Sequence, residues 1–389
     1  MHQPIPFARP SIGPAEEAAV LEVLRSGWLT TGERTQRFEK EFAEYVGVGH
    51  AIAVCSGTAA LHLSLEAIGI EAGDRVITTP YTFTATAEII RYLGADPLFV
   101  DISEQSFNID PELVAEAIEH APPAQPARCV IPVHVAGEPC DMDQLTDIGR
   151  RYGVFIVEDA AHAFPSRTAM GFAGTIGEIG SYSFYANKTI TTGEGGMVVT
   201  NNADIADRMR VMRLHGIDRP IWDRHTSNTW EYDVVAPGFK YNMPDTAAAI
   251  GLVQLGRADE FLERRESIAR RYIEALGDRD YLQCPNESEG HAWHLFILLL
   301  HLDRLRIDRN SFIRRLAERG IGSSVHYKPL HQMSYYRDTY GLSPDSYPRA
   351  TDRFHRVISL PIYPSLAESE VDRVIAAVLS VGDEAAARR

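Results

Sequence analysis

Lys188 lies in the run S-F-Y-A-N-K-T-I-T-T-G-E-G-G, residues 183–196, of a chain that otherwise prefers arginine. There are four lysines, Lys40, Lys188, Lys240 and Lys328, against thirty-four arginines. A lysine confined among aromatic, hydroxyl and glycine residues loses proton affinity by desolvation and becomes a nucleophilic amine. Arginine stays protonated and cannot do this. A solvated surface lysine is the bland alternative, and the aromatic, glycine-rich neighbours argue against it. Two more motifs carry chemistry. V-C-S-G-T-A-A-L (54–61) reads as a strand, a tight turn at Gly57 and a helix from about Thr58. Free amides and the helix dipole then point at one spot suited to phosphate. An ordinary turn capped by Ser56 or Thr58 fits the same letters. I-V-E-D-A-A-H-A (156–163) leaves Glu158 or Asp159 at the end of an apolar strand, with His162 three residues beyond Asp159. A carboxylate there can pair with a cationic ring nitrogen. A helix cap at Asp159 and a packed His162 are the structural alternatives.

Taken together, the three motifs ask for a phosphate, a cationic ring nitrogen and a carbonyl that condenses with an amine. Pyridoxal phosphate has all three.

The elements that must position these residues are legible in the hydrophobic pattern. Candidate strands are 51–55, 75–79, 97–101, 129–133, 155–159, 180–184 and 196–200, with helical patterns such as 58–68 and 83–93 between them. Apolar strands joined by helical crossovers predict an α/β fold with a mostly parallel sheet covered on both faces. Such sheets bind ligands at the C-terminal ends of their strands. Beyond about residue 260 the texture changes to helix 259–276, strand 293–300, helix 310–319 and strand 357–361. The expected organisation is an N-terminal arm (1–13), a large domain (14–258) and a small C-terminal α+β domain (259–389). A-P-P-A-Q-P-A (121–127) reads as a surface connection.

A net charge of −15 argues against nucleic acid or an anionic membrane as the main partner. The four cysteines are widely spaced, which fits free thiols in a reducing compartment. With no apolar run of spanning length and no signal core, the expected location is the cytoplasm. G-T-I-G-E-I-G (174–180) lacks the spacing of a dinucleotide fingerprint and precedes a strand. H-A-W-H (291–294) offers paired histidines without a zinc-protease pattern, so no metal is expected.

The motif set resembles the nucleotide-sugar aminotransferases of the DegT and StrS type, within the fold type I pyridoxal enzymes. The matching blocks run in order: S-G-T-A-A-L (56–61), G-D-R-V-I-T-T-P-Y-T-F (73–83), I-P-V-H-V-A-G (131–137), V-E-D-A-A-H-A (157–163), S-F-Y-A-N-K (183–188), T-T-G-E-G-G-M (191–197), L-H-G (214–216), F-K-Y-N-M (239–243) and H-A-W-H-L-F (291–296). The resemblance implies a seven-stranded large domain and a ping-pong amino transfer from an amino acid, L-glutamate, to a nucleotide-linked keto sugar. It implies that Lys188 forms the Schiff base and shuttles protons, and that Asp159 pairs with the ring nitrogen. His162 would sit near the phenolic oxygen, where relatives carry His or Gln, and Phe83 would stack on the ring. Gly57 and Thr58 amides and the Ser183 hydroxyl would hold phosphate. Asn242 would reach the phosphate of the partner subunit in a homodimer. Trp28, Thr30, His326 and Tyr327 would line the substrate pocket. F-K-Y-N, H-A-W-H-L-F and S-G-W-L-T-T-G are closest to members acting on UDP-linked 4-keto sugars. Sugar dehydratases of the same fold replace the lysine with histidine; this chain keeps Lys188. A ketocyclitol substrate, a 3-keto sugar or a non-catalytic cofactor-binding regulator are the competing expectations.

Overall fold

The computed structural model describes residues 3–122, 125–219, 222 and 230–387. Seven strands form the main sheet: β1 (His50–Val54), β2 (Arg75–Thr78), β3 (Asp96–Phe99), β4 (Ala127–Ile131), β5 (Phe155–Asp159), β6 (Ile179–Ser183) and β7 (Gly196–Thr200). Their spatial order is β1-β7-β6-β5-β4-β2-β3. β7 runs antiparallel to both β1 and β6, and every other pairing is parallel. The α/β expectation therefore holds, and each of the seven strands predicted for this sheet lies within a residue or two of its observed place. These strands are legible because burial on both faces leaves them apolar along their whole length. Of the expected surface connection 121–127, Pro123 and Ala124 lie outside the described residues.

Helix α1 (Pro14–Ser26) has proline at its first position, where the missing N–H costs nothing. It packs on the helix Asp245–Leu255, joined by a buried Glu16 that accepts from Gln254 Nε2 at 2.6 Å. α2 (Glu33–Val46) buries Phe38 and Phe42 against Phe184, the residue after β6. α3 (Gly57–Ala67) and α4 (Ala85–Tyr92) follow β1 and β2. α3 is buried along most of its length because it lies between the sheet and its neighbouring helices.

A second core forms around the antiparallel sheet β8 (Leu282–Gln283), β9 (Phe296–Leu300) and β10 (Val357–Leu360). Helices Ala258–Leu276, Arg309–Glu318 and Glu368–Ala385 cover it. Ile5 belongs to this core: it is buried, pairs with Ile321, and exchanges backbone hydrogen bonds with Gly320 and Gly322 at 2.8 Å. Among the described residues, no helix is long and apolar enough to cross a membrane.

Candidate active site

Sheet register brings the three motifs to one edge. Gly196, which opens β7, pairs with Val54 on one side and Ser183 on the other. Asp159 pairs with Ser181. The ends of β1, β5 and β6 and the start of β7 thus meet, as expected for ligand sites in such sheets. Between them lies a cavity of about 470 Å³, lined by Gly57, Thr58, Phe83, Asp159, His162, Ser183, Lys188, His326 and Tyr327 among others.

Ser56 caps α3, its Oγ accepting from the Ala59 amide at 3.0 Å, while its carbonyl accepts from Ala60 at 3.1 Å. The Gly57 and Thr58 amides have no acceptor among the described residues. The first turn of a helix leaves such donors open, and both residues line the cavity. The backbone is packed too tightly for side chains at two points. A Cβ on Gly57 would come within 2.8 Å of Ser183 Cβ, and one on Gly196 within 2.5 Å of the Ser56 carbonyl oxygen. Gly196→Val must push the Ser56–Gly57 turn aside. The expected result is at least about a tenfold loss of cofactor affinity, for an overpacking cost of about 1–3 kcal/mol. Cofactor titration by fluorescence checks this, with far-UV circular dichroism unchanged.

The pleat sends Asp159 and Glu158 to opposite faces. Asp159 faces the cavity, where its Oδ2 accepts from Thr86 Oγ1 at 2.8 Å and its Oδ1 from the Ala161 amide at 3.1 Å. Burial pushes its proton affinity up, and those two donors, with Lys188 nearby, work against that rise. Glu158 points away. It accepts from His134 Nε2 at 2.9 Å, from the Gly174 and Ile176 amides at 2.7 Å, and from Gly177 at 2.6 Å. The G-T-I-G-E-I-G stretch is therefore a cradle for a buried carboxylate.

Lys188 stands on the loop after β6, surrounded by protein and reachable from the cavity. Burial pulls its amine down to about 7, opposed by the charge of Asp159. At neutral pH a large fraction is the free base, as nucleophilic and proton-transfer roles require. His162 Nδ1 accepts from the Ala136 amide at 3.3 Å, and its Nε2 lies 2.9 Å from the Tyr327 hydroxyl. Burial holds its proton affinity well below the usual range, and Lys188 pushes the same way. His326 is likewise held at about 4. Phe83 is 60% exposed at the rim, leaving a ring face open to a flat ligand.

Trp28, Thr30 and Asn242 do not reach this cavity within one chain. Thr30 and Asn242 line a separate cavity of about 250 Å³. Trp28 sits beside it, its indole donating to the Thr31 carbonyl at 3.2 Å and its ring 4.8 Å from that of Trp222. Asn242 donates to Thr31 Oγ1 at 2.7 Å.

Several contributors were not foreseen from sequence. Thr86 holds Asp159, and Tyr185, Asn187 and Glu194 line the cavity. Thr86 is the second residue of α4, with no spacing signal to set it apart. Asn187, next to Lys188, could have been found by adjacency alone. His291 and His294 form no metal pair. Trp293 donates to His291 Nδ1 at 2.9 Å, and His294 packs its ring 4.4 Å from His162. No cluster able to hold a metal ion occurs among the described residues.

The donor set fits pyridoxal phosphate. Two open amides at a helix start suit its phosphate, a buried carboxylate suits its ring nitrogen, and a lysine of lowered basicity suits its aldehyde. The buried Asn187 Oδ1 lacks a partner and borders the same cavity, a further polar atom a ligand could satisfy.

Comparison with known proteins agrees with this chemistry. The chain is 43% identical over 381 residues to the spore coat polysaccharide biosynthesis protein SpsC of Bacillus subtilis, covering 97% of each chain. It superposes on Spr1654 of Streptococcus pneumoniae, solved in PMP and PLP forms, with TM-scores of 0.90 and 0.89, 33% identity, and coverage of 98% and 99% of the two chains. Helicobacter pylori PseC, an aminotransferase involved in the biosynthesis of pseudoaminic acid, matches with a TM-score of 0.90 and 28% identity over 98% of this chain and all of its own. The cofactor of this chain is pyridoxal phosphate, and the fold is that of the fold type I enzymes. The DegT/DnrJ/EryC1/StrS aminotransferase family matches residues 10–379, and the chain belongs to that family.

Proposed function

We propose that the protein moves an amino group from L-glutamate to a UDP-linked 4-keto sugar, in two half-reactions at the Lys188 cavity. The coarser statement, a pyridoxal phosphate-dependent sugar aminotransferase, accompanies the family and its neighbours. The observation that carries the reading is the placement of Lys188, of lowered basicity, beside Asp159 in one cavity with an open anion cradle. When bound, pyridoxal phosphate supplies the electron sink that makes the reacting carbon acidic and carries the amino group between half-reactions. The chain's own residues do the rest. Lys188 Nζ takes the proton from the amino-acid α-carbon and later delivers one to the former ketone carbon. Asp159 stays ionised to hold a positive charge at the ring nitrogen. Gly57, Thr58 and Ser183 fix the phosphate, and Phe83 covers the ring. His326 and Tyr327 face the reactants.

The sugar assignment draws on SpsC and PseC, both named for polysaccharide or sugar-acid biosynthesis. The 4-keto assignment draws on the motifs F-K-Y-N, H-A-W-H-L-F and S-G-W-L-T-T-G. Trp28, Thr30 and Asn242 complete the reading through a homodimer, in which each copy lends its second cavity to the other's site. A division into an arm (1–13), a large domain (14–258) and a small domain (259–389), and a cytoplasmic location, belong to the same proposal. The test charges the enzyme with glutamate, removes the amino acid, then offers either a UDP-4-keto sugar or scyllo-inosose. Amination of the UDP sugar in a single turnover, with no amino acid present, is expected. Amination of the cyclitol alone overturns the substrate assignment.

A further inference from the structure

Val135–Gly137 forms a turn whose middle residue, Ala136, adopts φ 61° and ψ 0°. That left-handed conformation is costly for alanine and persists where surrounding contacts impose it. The contacts are present. Val135 N–H donates to Asn108 Oδ1 at 2.9 Å, Ala292 N–H to the Gly137 carbonyl at 2.9 Å, and Leu295 N–H to the Ala136 carbonyl at 3.2 Å. Thus held, the Ala136 N–H donates to His162 Nδ1 at 3.3 Å. A ring nitrogen that accepts carries no proton, so the single proton of a neutral imidazole sits on Nε2. That Nε2 lies 2.9 Å from the Tyr327 hydroxyl. The N–H donates, the phenol oxygen accepts, and the phenol's own proton must point elsewhere. Tyr327 borders the cavity that holds Lys188 and His326.

We propose that Tyr327 is a one-way hydrogen-bond donor to an unprotonated oxygen of a reactant, with its direction set by the Ala136 amide through His162. The ligand chemistry is an oxygen that accepts and cannot donate: an amino-acid carboxylate or a sugar ketone. The naming of those two reactants rests on the function proposed above, whereas the hydrogen-bond direction does not. A glutamine at position 162 would reproduce the polarity, since its carbonyl can accept from Ala136 and its amide can donate to Tyr327.

The test begins on the cofactor-free chain with ¹⁵N-labelled histidine rings, using His162→Gln to assign the signal. The expected spectrum shows Nδ1 of His162 unprotonated and Nε2 protonated, and the opposite tautomer overturns the proposal. Next, each half-reaction is followed separately by the cofactor's absorbance. Tyr327→Phe should retain the His162 tautomer and cofactor loading, yet slow one half-reaction by about tenfold to a hundredfold, the worth of one hydrogen bond to a charged or developing-charge oxygen. Slowing of the amino-acid half assigns the carboxylate, and slowing of the keto-sugar half assigns the ketone. If neither slows, the proposal fails. His162→Gln should retain more of both rates than His162→Leu; equal loss in both overturns the relay. If the tautomer and the amino-acid half behave as expected but no UDP-4-keto sugar reacts, the substrate assignment alone has failed.

Discussion

Replacing Lys188 with alanine is expected to lower turnover by at least about 10²–10⁴-fold, the usual worth of a positioned acid–base group. The visible absorbance expected of a lysine-bound cofactor should be lost with it. The size of the effect follows from the site. The other three lysines, Lys40, Lys240 and Lys328, are absent from the cavity lining, and no arginine lines it among the described residues. No neighbouring amine can stand in. A melting-temperature measurement separates chemistry from structure. Burial lowers its proton affinity to about 7, below the ordinary value of 10.5. The folded chain therefore binds fewer protons there than the unfolded chain between those two values. The charged amine is a burden to the folded state that is full below about pH 7 and fades as pH rises toward 10.5. Lys188→Met in the cofactor-free protein should thus raise the melting temperature, most at low pH. A lowered melting temperature would show that Lys188 has a structural partner the site does not reveal.

Asp159→Asn is expected to reduce amino transfer on the order of 10²–10⁴-fold, the cost of removing one partner of a buried charge pair. The substitution keeps the shape and a carbonyl oxygen able to accept from Thr86 or Ala161, so loss of packing does not explain the effect. What it removes is the negative charge proposed to face the ring nitrogen. The loss should fall on rate more than on cofactor retention, because the phosphate cradle of Gly57, Thr58 and Ser183 is untouched. Stopped-flow absorbance of the amino-acid half-reaction separates the two. Near-normal rates would mean that Asp159 does not stay ionised in the working enzyme.

The strands and the placing of Lys188 in a buried cavity were legible for a clear physical reason. Buried parallel strands are continuous apolar runs, and a lysine stands out where arginine is the default. The turn Ser56–Gly57–Thr58 was legible too, since it joins a strand to a helix. The choice between Glu158 and Asp159 was not, because it depends on the phase of the pleat at the strand's end. Nor were Thr86 and Ala136. Each acts through a contact far away in sequence, to Asp159 and to His162, set by packing rather than by local pattern. Trp28, Thr30 and Asn242 show the opposite case. Their motifs point to a ligand pocket, yet the fold of one chain gathers them beside a different cavity.

The central claim is that Lys188 is the residue that bonds the cofactor. Borohydride reduction of the loaded enzyme, followed by peptide mass spectrometry, tests it most directly. A reduced cofactor fixed to the peptide carrying Lys188 is expected. A mark on Lys240 or Lys328 instead, or none on a fully loaded enzyme, would contradict it.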